Sequence, residues 1–320
     1  MRLPLTSRPR AAAAGPAQFL ALGRPVAAQR PAQPALSQLR AYRPGAARRA
    51  DLLQAAAAAP SASSTPPSPS PSTSSSDADY LALINVTVRR TSDGVAVPLL
   101  STFRAGPADR ALLFILTHAA DLAPFELVPR VLKALPALTA AGVQVSFIVL
   151  GSPANATAFA ARLGVPPALL FADETGATHA ALGFSRGFDP AAPKLNPYVR
   201  LGAMLAGIGS PGTIGRVIKG YVGDRQGEPI FGPGSPFDIL GSGYTRPMER
   251  ATQRLMSMAA VLSGWGELAP ADAELLTRLG GCLALKGRGT VLKHVDAGIL
   301  DYVDLKAACG AVGAVKALPE

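Results

Sequence analysis

Two apolar runs of strand length, residues 111–116, unbroken, and 143–150, broken only by Gln144 and Ser146, constrain this chain more than any other feature. A strand that is apolar on both of its faces must be covered on both, which is the condition of a central strand in a parallel or mixed sheet. Residues 124–141 lie between the runs and read as a helix. Pro124 falls near its first turn, Pro129 and Pro136 imply a kink, and Gly142 ends it. Ser152-Pro153 then opens a second helix over residues 155–163, Gly164 closes it, and residues 168–171 form a third strand. The resulting β-α-β-α-β order calls for right-handed crossovers on a parallel sheet.

Upstream, residues 83–88 and 95–103 flank Thr91-Ser92-Asp93-Gly94 and form a hairpin, since Asp-Gly supplies the positive φ of a tight turn. Downstream, residues 282–285 and 290–295 flank Lys286-Gly287-Arg288-Gly289 as a second hairpin, and residues 301–312 make a closing helix. Between the third strand and this hairpin lie residues 174–280, an insertion. It holds a Gly/Pro-rich stretch (202–220), an irregular stretch (223–243), a helix over 246–262 capped by Thr245, and a short helix over 272–278. The fold class is α/β, thioredoxin-like, with an N-terminal β-hairpin and a long, largely helical insertion before the C-terminal hairpin.

Charge is distributed unevenly. The first 50 residues contain nine arginines, no lysine and no acid, so they carry nearly all of the formal net charge of +10; residues 51–320 hold 22 basic against 21 acidic side chains. A nucleic-acid-binding surface needs its positive charge on the folded part, so that class is excluded. An Arg- and Ala-rich, acid-free leader followed by an Ala/Ser/Pro-rich run reads as a transit peptide and disordered linker over residues 1–79, leaving 80–320 as the folded domain. The expected compartment is the chloroplast, with the mitochondrion as the alternative. No apolar run approaches the ~20 residues of a membrane span.

Two cysteines and three scattered histidines exclude a disulfide scaffold and any metal site with recognisable spacing, and no cofactor is expected. Gly207-Ile208-Gly209-Ser210-Pro211-Gly212 matches a dinucleotide fingerprint in letters, but it lies late in the chain without a preceding strand. The decisive stretch is Leu116-Thr117-His118-Ala119-Ala120-Asp121-Leu122-Ala123-Pro124, where the first core strand gives way to the first helix. Asp121 there either caps the helix or serves as an acid/base group. His118, placed in the loop facing the helix, either binds an anion or packs. Cys282 and Cys309 read as small core residues on a strand and a helix. Arg246, Glu249, Arg250 and Arg254 read as a solvated helix face, and Tyr244 and Trp265 as packing groups.

From residue 83 to 308 the chain resembles the peroxiredoxin-like 2 family, the thioredoxin-fold branch related to AhpC/TSA antioxidant proteins. The likeness rests on Phe125-Glu126-Leu127, Gly142-Val143-Gln144-Val145, Gly151-Ser152-Pro153, Phe171-Ala172-Asp173-Glu174-Thr175-Gly176, Ala181-Leu182-Gly183, Asn196-Pro197 and Gly280-Gly281. The resemblance implies a Cys-x-x-Cys at the start of the first helix. Asp121 and Pro124 stand at those positions, so the family's thiol chemistry is not expected to carry over. The expectation is a non-catalytic protein that binds an unknown protein or small-ligand partner, with His118 and Asp121 on the candidate surface. The alternative is an antioxidant oxidoreductase using a displaced Cys282 or Cys309.

Overall fold

The computed structural model describes residues 77–188 and 195–317; the expected leader and most of the linker lie outside them. A seven-stranded sheet has the order β2-β1-β5-β4-β3-β6-β7. Its strands are β1 (Thr87–Arg90), β2 (Ala96–Pro98), β3 (Arg110–His118), β4 (Val143–Leu150), β5 (Leu170–Asp173), β6 (Gly281–Lys286) and β7 (Gly289–Val295). The two apolar runs are neighbours: β3 pairs parallel with β4 in the register Leu112↔Val145 and Phe114↔Phe147. On its other side β3 pairs antiparallel with β6, which β7 extends as a hairpin.

Side chains alternate between the faces of a strand, so β3 feeds two cores. Leu112, Phe114 and Leu116 join the larger one, where Phe114 stacks on Phe147 at 5.5 Å. Ala111, Leu113 and Ile115 join the smaller one with Val88 and Phe184. Helices α2 (Leu122–Ala140) and α3 (Pro153–Leu163) cross between parallel strands, following a short α1 (Ala78–Ala82). Asp121 caps α2, and Ser152 caps α3 in a reciprocal pair with Asn155. This is a thioredoxin-like α/β fold.

Several boundaries differ from the sequence reading. Residues 83–86 follow α1 instead of entering the hairpin, and Leu99–Thr102 coil into a 3-10 turn, so the hairpin is short; Gly94 supplies its positive φ of 69°. Helix α2 runs through both Pro129 and Pro136. After the small α4 (Ala177–Ala181), the Gly/Pro-rich stretch folds into α5 (Pro197–Leu205) and α6 (Gly212–Val222). The stretch Gly207 to Gly212 therefore follows a helix, and Ser210 and Thr213 accept the Ile299 N–H. Helix α7 (Glu249–Ser263) starts later than expected because Met248 sits at φ 64°, and the Thr245 hydroxyl bonds the Glu228 carbonyl instead of capping. The short α8 (Trp265–Leu268) follows, then a 3-10 turn, Ala273–Thr277, where a helix was expected. The closing helix α9 (Leu305–Ala311) begins only after its cap, Asp304.

Candidate functional site

Strand β3 delivers its C-terminal end to the start of α2. The Thr117 hydroxyl donates to Asp121 Oδ2 at 2.7 Å, while Asp121 Oδ1 accepts the Leu122 N–H at 2.6 Å. Both carboxylate oxygens are thus engaged, one by the strand and one by the helix. Pro124, in the first turn, has no N–H to satisfy and lines a small cleft with Thr117, Leu127, Gly281, Asp296 and Tyr302.

His118 is the last residue of β3, not a loop residue. It is buried and lies edge-on to Trp265 at 6.5 Å. Burial lowers its pKa against the opposing pull of Asp121, so the ring is neutral at pH 7. A neutral, enclosed imidazole is a poor anion receptor. His179, buried behind the same strand, donates from Nε2 to the Leu116 carbonyl at 3.1 Å, and burial holds its pKa down at about 4.

Sequence reading missed Asp296. It is 7% exposed, follows β7 directly and lines the cleft; Oδ1 lies 3.2 Å from His294 Nε2 without a hydrogen-bond partner. Gly280 makes room for it, since a Cβ there would come within 2.5 Å of the Ile115 carbonyl oxygen and 3.0 Å of Asp296 Oδ2. Burial, reinforced by Asp301 and Asp121 and opposed by His294, raises the Asp296 pKa to about 6. The native state therefore binds this proton more tightly than the unfolded chain does. That contribution is complete below about pH 4 and is lost as pH rises through about 6. Asp296→Asn should leave stability at pH 4 unchanged and raise it by about 3 kcal/mol at pH 8. Urea unfolding at the two pH values checks this, and an equal effect at both would refute it.

Neither cysteine reaches the cleft. Cys282 on β6 is fully buried opposite Phe114 and His294, and burial, with Asp296 and Cys309, pushes its thiol far up. Cys309 on α9 is also buried, its pKa raised to about 11 by burial and Asp304. Among the described residues no group of three or more His, Cys, Asp or Glu could hold a metal ion, and no helix is long and apolar enough to cross a membrane.

The expected solvated face of the insertion helix is instead largely a buried ion network. Arg246, Glu249 and Arg254 are buried, and Arg250 is half-buried. Glu249 holds the Arg246 side chain and accepts the Ile230 and Phe231 N–H groups. Arg250 and Arg254 converge on Glu126 of α2, which is 1% exposed. Tyr302, a wall of the cleft, donates to Glu126 at 2.8 Å and accepts from Arg250. The insertion is thereby tied to the helix that opens the site.

A thioredoxin-like sheet whose β3–α2 junction faces a small, mostly apolar cleft that holds Thr117, Asp296 and Tyr302 defines the general class. More particularly, residues 131–298 match the model of the AhpC/TSA antioxidant enzyme family. The chain belongs to that family. The matched stretch begins after Asp121 and Pro124, so the chemistry at the junction is argued from its own geometry. No curated protein matches the chain.

Proposed function

We propose that this protein is an organellar, peroxiredoxin-like member of the family, of the peroxiredoxin-like 2 type, that performs no thiol chemistry and works by binding a protein or small-ligand partner at the β3–α2 face. The occupancy of the helix start carries this reading. Thiol catalysis on this fold needs a thiolate at the N-terminus of α2, where free N–H groups and the helix dipole stabilise its charge. Asp121 fills that place, satisfying the Thr117 hydroxyl and the Leu122 N–H, and a carboxylate can neither attack an O–O bond nor form a mixed disulfide. Burial of Cys282 and Cys309, with raised pKa values, argues against displaced thiol chemistry. The acid-free, Arg-rich leader supports import into an organelle, and the Ser/Pro-rich run behind it favours the chloroplast.

Native protein should consume no hydrogen peroxide with a thioredoxin or glutathione system, and iodoacetamide should label it only after unfolding. Catalytic peroxide consumption abolished by Cys282→Ser or Cys309→Ser would overturn the reading. A fluorescent fusion of residues 1–80 tests the compartment.

A further inference from the structure

Among the described residues, the buried carboxylates are answered, with one exception. Glu126 and Glu249 hold arginines. Asp173 accepts the Ala177 and Thr178 N–H groups at 3.0 and 2.8 Å, and Asp301 accepts the Ala297 and Tyr302 N–H groups and pairs with Arg216. The side chain of Asp296 has no backbone N–H, lysine or arginine; Oδ1 meets His294 Nε2 alone, and neither atom has a hydrogen-bond partner. Its Oδ2 lies over Gly280, 3.0 Å from where a Cβ would stand. A carboxylate kept from water without a donor is costly, so it marks a place where a group from outside the fold completes the pairing.

The cleft that Asp296 lines narrows what that group is. Its wall is apolar at Leu116, Ala123, Pro124, Leu127 and Val303. The two hydroxyls on the wall have spent their protons elsewhere, Thr117 on Asp121 and Tyr302 on Glu126. Besides His294, the charges that act on Asp296 are Asp301 and Asp121, both negative. Such a site repels anions, and a neutral alcohol or amide could donate a hydrogen bond but would leave the charge unmatched; a cation does both. Size sorts the cations. The cleft has room of about 10 Å³, enough for one group as large as a water molecule. A primary ammonium is that large, whereas a planar guanidinium or a quaternary ammonium is larger. One carboxylate is too few ligands for a metal ion, and the apolar wall suits methylene groups attached to the nitrogen.

We propose that this cleft receives a primary alkylammonium group, its nitrogen bound by Asp296 and its methylene chain lying against Leu116, Pro124 and Leu127. The proposal names the ligand chemistry of the β3–α2 face, and it rests on that face being a binding surface. A lysine side chain of a protein partner and a free aliphatic amine share this chemistry.

Methyl-labelled full-length protein, titrated with n-butylammonium chloride at pH 8 and followed by nuclear magnetic resonance, tests this. The methyl signals of Leu127 and Val303 should shift saturably, and the affinity should fall at least about tenfold in Asp296→Asn, which keeps the shape of the side chain and removes its charge. n-Butanol, which lacks the charge, and tetramethylammonium, which exceeds the size, should bind far more weakly. A Gly-Lys-Gly peptide with blocked termini decides the source: tighter binding than butylammonium assigns the site to a lysine of a protein partner, and weaker binding to a free amine. Butylammonium that moves neither signal, that binds wild type and Asp296→Asn equally, or that binds no better than butanol would overturn the proposal. Those outcomes leave the absence of thiol chemistry standing, whereas catalytic peroxide consumption would remove the binding reading itself.

Discussion

Glu126→Ala should lower the unfolding free energy by about 3–5 kcal/mol, the range for removing one partner of a buried ion network. The carboxylate is 1% exposed and takes four contacts: Arg254 Nε at 2.5 Å and Nη2 at 3.3 Å, Arg250 Nη1 at 3.2 Å and the Tyr302 hydroxyl at 2.8 Å. Alanine takes from the Arg250 and Arg254 guanidinium groups the carboxylate they share, and it frees a tyrosine whose own pKa burial and Glu126 have raised to about 12. The loss should exceed that of Glu126→Gln, which keeps the shape and accepts from one donor. A double-mutant cycle with Arg254→Met isolates the coupling, because the double variant no longer strands the Arg254 charge. Urea unfolding gives all three values. A Glu126→Ala effect under about 1 kcal/mol would mean that water replaces the carboxylate and that α7 is held by other contacts.

That network marks where sequence reading stops. The βαβ core was legible because each apolar run has to be covered on both faces, and because Asp121, Ser152 and Gly164 are local signals for helix ends. Arginine in a helix was read as solvent-facing by default, since a single sequence shows no countercharge. The partner of Arg250 and Arg254 stands more than 120 residues away in α2. One signal was available: Glu126 is the lone acid in the apolar helix of residues 122–140, and the i, i+4 spacing of Arg250 and Arg254 aims both at one point. Helices α5 and α6 were hidden by their glycines, which lower helix propensity; α6 forms nonetheless because its Thr213, Val217 and Gly220 side packs on the body of the fold. Asp296 was invisible for a related reason. Nothing near it in sequence indicates burial, and it reaches the cleft only because β7 ends there and Gly280 leaves space.

Asp121→Cys should convert an unreactive protein into one with a single fast thiol, the largest functional change available from one substitution. The wild-type cysteines are buried with raised pKa values, so iodoacetamide labelling of the native state should wait on unfolding. A sulfur at position 121 would sit at the start of a 19-residue helix, beside the Leu122 N–H and the Thr117 hydroxyl that now serve the carboxylate. Those donors and the helix dipole favour the thiolate, and the half-buried position leaves it reachable. Loss of the aspartate cap should reduce stability by about 1 kcal/mol, which a folded domain tolerates. Asp296 acts in the other direction: once ionised above about pH 6, it is a negative charge near the new sulfur and raises its pKa. Asp121→Cys alone should therefore titrate below the usual ~8.5 for a free thiol, and adding Asp296→Asn should lower the value further. Adding Pro124→Cys places a second sulfur one turn into the helix, so mild oxidation should then produce an intramolecular disulfide detectable by mass. Labelling rates across pH 5–9 measure the thiolate fraction directly. A folded Asp121→Cys protein that labels no faster than wild type would mean that the helix start does not stabilise a thiolate, and that the missing cysteine is not what separates this chain from a thiol catalyst.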